Sequence, residues 1–157
     1  MTPSELRPDL GEFSSIVCFK AVVVGVEEAL GKRAAKVALV SAGRKRGRGL
    51  VEELGLTGQG KDLEEARAKM AAALGADGTR LCKIDDITEQ GELIRVKVSD
   101  TVCMAGEPDG SDRTCTFTLG AVQGALEALT GRKLKGTHTE SRWRGAADDI
   151  FEFRSLL

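Results

Sequence analysis

The chain has 157 residues, of which 41% are hydrophobic and 30% are charged, a balance typical of a soluble protein of one domain with its own core. Its formal net charge of -1 excludes a global electrostatic attraction to nucleic acid or to an anionic membrane surface. Because no apolar run approaches the roughly 20 residues of a membrane-spanning helix, we also expect no membrane span.

The first ten residues are polar and include two prolines, which predicts a flexible arm at residues 1–10 and a single domain at residues 11–157. The arm lacks the apolar run of a signal peptide, so we predict a cytoplasmic protein. In that compartment we expect four free thiols, buried as small apolar groups, with disulfide bonds the less favoured interpretation. The cysteines are Cys18, Cys82, Cys103 and Cys115.

Apolar residues at helical spacing predict three helices in the first half, at residues 12–30, 32–54 and 63–74. The first is apolar on most sides, which indicates a buried helix or a dimer seam. The second contains Gly43 and Gly47, four residues apart, which allows close packing. The third has Asp62 in the position of an N-terminal cap.

A basic cluster lies within the second predicted helix, at Arg44, Lys45, Arg46 and Arg48. The favoured interpretation is a solvated helix face, balanced by nearby glutamates. The alternative is a contact with an anion or with an acidic protein partner. Nucleic acid is not expected as a partner, because no aromatic residue interleaves the cluster.

Alternating residues at 79–87 and 92–99 predict a β-hairpin with its turn at residues 89–91. A loop at residues 100–113 follows. Its length is typical of a lid or binding loop, and the alternative is a loop that is simply mobile.

The last third has the most informative pattern. Residues 115–129 form a predicted helix that Gly131 ends. Gly120 and Gly124 each weaken that helix by roughly 1 kcal/mol, so we expect close approach of another backbone or of a flat ligand. Two short strands follow, and Phe151 and Phe153 share one face of the second. Together these elements predict an α+β fold, with helices packed on a small antiparallel sheet of two hairpins.

This C-terminal pattern resembles the 4-vinyl reductase family, also called the hydrocarbon-binding domain. The family shows a cysteine, a Gly-x-x-x-Gly helix ending in Leu-x-Gly, a strand with Glu-Thr-x-Cys, a glycine loop and Cys-x-Phe. The chain matches at Cys115, Gly120, Gly124, Leu129, Gly131, Glu140 and Phe153. It departs at Trp143 and Phe151, which replace the two late cysteines, and at Ala147, which replaces the loop glycine.

The resemblance implies the fold shared with haem nitric-oxide-binding domains and TRAPP subunits. That superfamily tends to dimerise through helices and to hold an apolar ligand. It therefore implies non-catalytic binding of a hydrophobic molecule, such as a tetrapyrrole, lipid or aromatic compound, by a homodimer. The second hypothesis is a dimeric scaffold or assembly factor whose pocket is filled. The third is an enzyme of tetrapyrrole metabolism, related to photosynthesis; only the family name suggests it.

No set of residues in the sequence indicates catalysis, and the cofactor, if any, is unknown. His138, the one histidine, is the type of residue that ligates haem or senses pH, and the alternative is a partly exposed strand residue. Strand alternation places Glu140 and Arg142 on its face. Zinc is not expected, because aromatic residues replace two family cysteines. The candidate ligand-binding residues are Cys115, Gly120, Gly124, His138, Glu140, Arg142, Trp143 and Phe151.

Overall fold

The computed structural model describes residues 7–156, in which four α-helices pack on a four-stranded antiparallel sheet. The helices are α1 (Ile16–Leu30), α2 (Lys32–Glu53), α3 (Leu63–Leu74) and α4 (Phe117–Thr130). The strands are β1 (Lys83–Gln90), β2 (Leu93–Ser99), β3 (Lys133–Glu140) and β4 (Asp149–Leu156), with a 3-10 turn at Arg142–Arg144 between the last two. The predicted α+β class is confirmed. Within residues 7–156, no helix is long and apolar enough to cross a membrane.

The helix ends follow the capping residues. The Asp62 carboxylate accepts the amide of Glu64 at 2.8 Å and begins α3. Gly131 adopts a left-handed conformation, φ 78°, and ends α4. Helix α1 starts later than predicted, because the Ser15 hydroxyl caps it through the amide of Val17. Most of the predicted arm, residues 1–6, lies outside the described residues; residues 8–10 form a turn.

The sheet has the order β1-β2-β4-β3, so two hairpins join through the pairing of β2 with β4. Along β2, Ile94 and Val96 face the core and lie opposite Phe153 and Phe151. The outer face is charged, and Arg95 pairs there with Glu140 and Glu152. One side of the sheet therefore carries the core, and the other faces solvent.

Strand β1 begins at Lys83, four residues later than predicted. The amides of Thr79, Leu81 and Cys82 instead bond carbonyl groups at the end of α3, with N···O distances of 2.9 to 3.2 Å. These amides are therefore not available to the sheet. The turn of the predicted hairpin lies at residues 91 and 92, where Gly91 has a positive φ of 61°.

Helices α2 and α4 cross with their backbones in contact. A Cβ added to Gly47 would lie 2.0 Å from the carbonyl oxygen of Ala121, and one added to Gly43 would lie 2.1 Å from that of Phe117. On the facing helix, Gly120 and Gly124 would meet carbonyl oxygens of α2 at 2.1 and 2.0 Å. Of the two explanations for these glycines, the close approach of another backbone is the one observed.

Gly47→Ala should lower the free energy of unfolding by about 1–3 kcal/mol, because the added methyl group has to separate two helix backbones. The matched control is Gly49 in the same helix, where an added Cβ would meet only Arg46 Nη1, at 3.9 Å. Gly49→Ala should raise the same free energy by up to about 1 kcal/mol through helix propensity. Urea denaturation followed by circular dichroism measures both free energies of unfolding. If both substitutions changed this free energy in the same direction, the result would contradict the close backbone contact at Gly47.

Candidate functional site

His138 lies in the core with both ring nitrogens engaged by the protein. Its Nδ1 accepts the backbone amide of Cys115 at 3.0 Å, and its Nε2 lies 3.2 Å from Asp149 Oδ1. Because Nδ1 accepts a hydrogen bond, Nε2 carries the proton and donates it to the carboxylate. The ring also packs edge-on against Phe151, with centroids 5.2 Å apart. No ring nitrogen of His138 is left free for a haem iron.

Asp149 joins this histidine to the turn before β4. Burial alone would raise its pKa, but hydrogen bonds from His138 and from the Arg142 amide, together with Ser141, outweigh burial and lower the pKa below its ordinary value. The side chain is 7% exposed. The charged carboxylate therefore stabilises the arrangement of His138 and the end of β3.

The predicted shared face of His138, Glu140 and Arg142 is wrong, because the strand does not run regularly. A register shift between His138 and Glu140 turns Glu140 to the outer face, where it pairs with Arg95. Arg142 has left the strand and lies in the 3-10 turn. A single extra residue in a strand reverses the alternation of faces after it.

The two aromatic residues at the family cysteine positions lie in or against the core. Phe151 is fully buried, and Trp143 packs partly buried against the core cluster. Neither side chain has an atom that ligates zinc. Within residues 7–156, no three His, Cys, Asp or Glu side chains are placed to hold a metal ion. The side chains at these positions therefore do not fit the metal site that the family pattern implies.

The prediction of four free thiols is wrong for one pair. The sulfur atoms of Cys103 and Cys115 are bonded, with Cα atoms 5.4 Å apart. The pair joins the loop after β2 to the segment before α4. Cys82 is a buried free thiol, and burial followed by the charge of Asp85 raises its pKa to about 12. It is thus inert at neutral pH, whereas Cys18 is exposed.

The loop at residues 100–113 packs on the protein along much of its length. Its residues Thr101, Val102, Cys103 and Met104 are buried. Farther along, Glu107 pairs with Lys20, and Arg113 pairs with Glu27, both from α1. An open lid would not have the ion pairs to α1 and the buried residues 101–104 that this loop has.

Three of the four side chains of the basic cluster make ion pairs within the protein. Glu127 on α4 has a fully buried side chain, and its carboxylate accepts Arg44 Nε at 2.6 Å and Arg44 Nη2 at 2.9 Å. Arg48 lies 3.5 Å away, and the amide of Leu134 donates to the same carboxylate at 2.9 Å. Sequence reasoning missed this pair, although a lone glutamate in an apolar helix was the available signal.

A half-open groove of about 300 Å³ lies between α2, the end of α3 and the start of α4. Most of its lining is apolar, and we call it the apolar groove. Its residues are Arg46, Gly47, Leu50, Leu74, Thr79, Leu81, Phe117 and Ala121. The hydroxyl of Thr79 is buried and has no hydrogen-bond partner among residues 7–156. A ligand hydroxyl is the kind of group that would satisfy it.

None of the eight candidate ligand-binding residues lines the apolar groove. Phe117 and Ala121 do line it, and both lie on α4, where Phe117 is three residues before Gly120 and Ala121 directly follows it. The periodicity of α4 showed which residues are apolar. It did not show which of them a neighbouring loop leaves uncovered.

Asp149→Asn should lower the free energy of unfolding at pH 7 by about 1 kcal/mol, because hydrogen bonds to a charged group are stronger than those to an amide. The folded-state pKa of Asp149 is lowered, so its stabilisation is complete above the unfolded-state pKa and is lost as the pH falls through the folded-state value. The variant should therefore lose less stability than the wild type below about pH 4.

The neighbouring Asp148 is the control for this experiment. Its side chain is 43% exposed and lies 3.6 Å from Lys97 Nζ at the surface. Asp148→Asn should change the free energy of unfolding by less than about 0.5 kcal/mol. Urea denaturation at a series of pH values measures all three proteins. An acid dependence of Asp149→Asn identical to that of the wild type would show that Asp149 has no such role.

Searches with the sequence found no protein-family model and no curated protein that matches this chain. Solved structures do share its fold. The phenol-responsive sensory domain of the transcription activator PoxR, solved with phenol, has a TM-score of 0.64 at 13% identity. That match covers 92% of this chain and 77% of the PoxR chain.

Two further structures are similar. Trafficking protein particle complex subunit 3 from Naegleria fowleri, covalently bound to palmitic acid, has a TM-score of 0.55 at 9% identity, covering 91% of this chain and 98% of that chain. A vinyl-4-reductase family protein from Methanocaldococcus jannaschii has a TM-score of 0.54 at 12% identity, covering 92% and 83%. These likenesses show that the chain shares the fold that its C-terminal pattern predicted.

Proposed function

We propose that this chain binds a small apolar molecule without transforming it, and that the apolar groove is the binding site. The observation that carries this proposal is an apolar wall combined with one unpaired hydroxyl, that of Thr79. Ligand sites are typically concave and mostly apolar, with a few polar groups that fix orientation. Two structural neighbours, one solved with phenol and one covalently bound to palmitic acid, support binding of this class of molecule.

The volume of the apolar groove limits which ligands can fit. About 300 Å³ is at the lower end of the range for small-molecule sites. A single aromatic ring or a short acyl chain fits that volume, whereas the four rings of a tetrapyrrole exceed it. A phenol would bury its ring against Leu50, Leu81 and Phe117 and exchange a hydrogen bond with Thr79. We therefore favour a one-ring aromatic alcohol over the other ligands of the same class.

The core behind α4 contains large buried rings. Phe151 and Phe153 are 0% exposed, and a Cβ on Gly136 would lie 2.5 Å from the Phe153 ring. The side of α4 that faces the sheet is thus filled around Phe151, one of the candidate ligand-binding residues. The proposal accordingly assigns the ligand to the opposite, groove-facing side, next to Phe117 and Ala121.

Titration of the full chain with phenol and with toluene, followed by backbone amide NMR shifts, tests this proposal. Saturable shifts should centre on the apolar groove.

Leu81→Trp should abolish binding by filling the groove, whereas Leu156→Trp, at a half-exposed position at the end of β4, should bind normally. Thr79→Val should weaken phenol binding about tenfold through the lost hydrogen bond and leave toluene binding unchanged. Shifts that do not saturate, or that map elsewhere, would reject the groove as the site.

A second candidate function rests on the uncovered surface of α1. Only Val23 of this helix is buried. One side of the helix carries small apolar residues that are all exposed, namely Cys18, Ala21, Val22, Gly25 and Ala29, and we call it the α1 stripe. Contiguous apolar surface of this kind marks an interaction site. We propose that a second copy of this chain covers it, because small residues let two identical helices approach closely.

The α1 stripe predicts a homodimer with twice the 16.7 kDa mass of one chain. Val22, which is 62% exposed, should lie at the interface, so Val22→Lys should give a monomer by burying a charge. Leu54, 52% exposed at the end of α2, is the control, and Leu54→Lys should remain dimeric. Size-exclusion chromatography with light scattering measures the masses. A monomeric wild type, or a dimeric Val22→Lys, would exclude this interface.

A further inference from the structure

A second groove, of about 290 Å³, lies where the starts of α2 and α4 meet. We call it the basic groove, because its side chains carry a formal excess of two positive charges in a chain whose net charge is -1. Its residues are Glu27, Lys32, Arg33, Lys36, Asp112, Arg113, Thr114 and Thr116. It shares no residue with the apolar groove.

The first turn of α2 lines this groove, as does Thr116, the residue before α4, and neither helix has a side-chain cap. Gly31 precedes α2 and has no side chain, and Thr116 precedes α4 but makes no capping hydrogen bond. The amides in the first turn of a helix have no partner within the helix, and the helix dipole adds partial positive charge there. Uncapped N-termini of this kind bind oxyanions through their amides.

The hydroxyl of Thr116 is an independent indication of a ligand. This residue lines the basic groove and is only 3% exposed, yet its Oγ1 has no hydrogen-bond partner among residues 7–156. A buried hydroxyl without a partner costs free energy in the folded protein. An acceptor oxygen in the groove would remove that cost.

The charges in the groove divide into paired and unpaired groups. Arg113 pairs with Glu27 and, at 3.4 Å, with Glu107, and Lys32 Nζ lies 3.0 Å from Asp112. Arg33 and Lys36 are exposed, and no carboxylate of residues 7–156 lies within ion-pair distance of either. These two side chains account for the positive excess of the groove.

We infer that the basic groove binds a phosphate group, held by the free amides at the start of α2 and by the hydroxyl of Thr116. Arg33 and Lys36 supply the two charges that balance a phosphate dianion. A carboxylate has one charge and two oxygens, so it satisfies fewer of these groups. The phosphate belongs either to the free inorganic ion or to a phosphate ester. The inference does not depend on the proposed binding of an apolar molecule.

Isothermal titration calorimetry of the full chain with inorganic phosphate, glycerol 3-phosphate and acetate, at constant ionic strength, tests this site. Inorganic phosphate should bind saturably with one site per chain, and acetate should bind at least tenfold more weakly. If glycerol 3-phosphate binds more tightly than inorganic phosphate, the preferred ligand is a phosphate ester. If the two bind equally, the ligand is the free ion. Both results support the site. Absence of saturable phosphate binding would overturn it.

Two variants locate the binding. Arg33→Ala with Lys36→Ala should weaken phosphate binding at least tenfold. The matched control, Lys133→Ala with Lys135→Ala, removes two exposed lysines of β3 and should leave affinity unchanged. Thr116→Val should weaken binding severalfold without lowering the melting temperature, since it removes an unpaired hydroxyl. Equal losses in both double variants would overturn the inference, because they would indicate attraction to the whole protein surface.

Discussion

Helices α2 and α4 approach so closely that the carbonyl oxygens of one occupy the space where side chains of the other would start, at Gly43, Gly47, Gly120 and Gly124. The approach also removes water from Glu127, whose buried carboxylate is held by Arg44 and by the amide of Leu134. A buried charge is tolerated only with such partners. Since Leu134 belongs to β3, this one carboxylate connects α2, α4 and the edge of the sheet.

Most of the polar and sulfur-containing groups discussed above lie near the start of α4. Cys115 is bonded to Cys103 there, and its amide donates to His138, which in turn bonds Asp149. The apolar groove lies on one side of this helix start, at Phe117, and the basic groove includes Thr116 just before it. The helix crossing fixes α4, and α4 in turn positions both grooves. The side of α4 that packs on the sheet faces a core that contains the buried rings of Phe151 and Phe153.

Local patterns predicted the elements well, because capping and periodicity act over a few residues. Asp62 and Gly131 mark helix ends that the structure reproduces, and the resemblance in the last third predicted the fold. Pairings across the chain could not be predicted in the same way. Cys115 meets His138 from 23 residues away, and Glu140 changes face because of one irregularity in β3. Neither the hydrogen bond nor the bulge leaves a periodic signal in the sequence.

The glycines of α2 have a consequence for the order of folding. A helix with glycine at positions 43, 47 and 49 is weak in isolation, and the partner that stabilises it lies far away, with Arg44 and Glu127 separated by 83 residues. Contacts between distant parts of a chain form slowly, since a large loop has to close first. On the ribosome, α2 therefore emerges long before α4 and acquires its main stabilisation only when the last third of the chain has been synthesised.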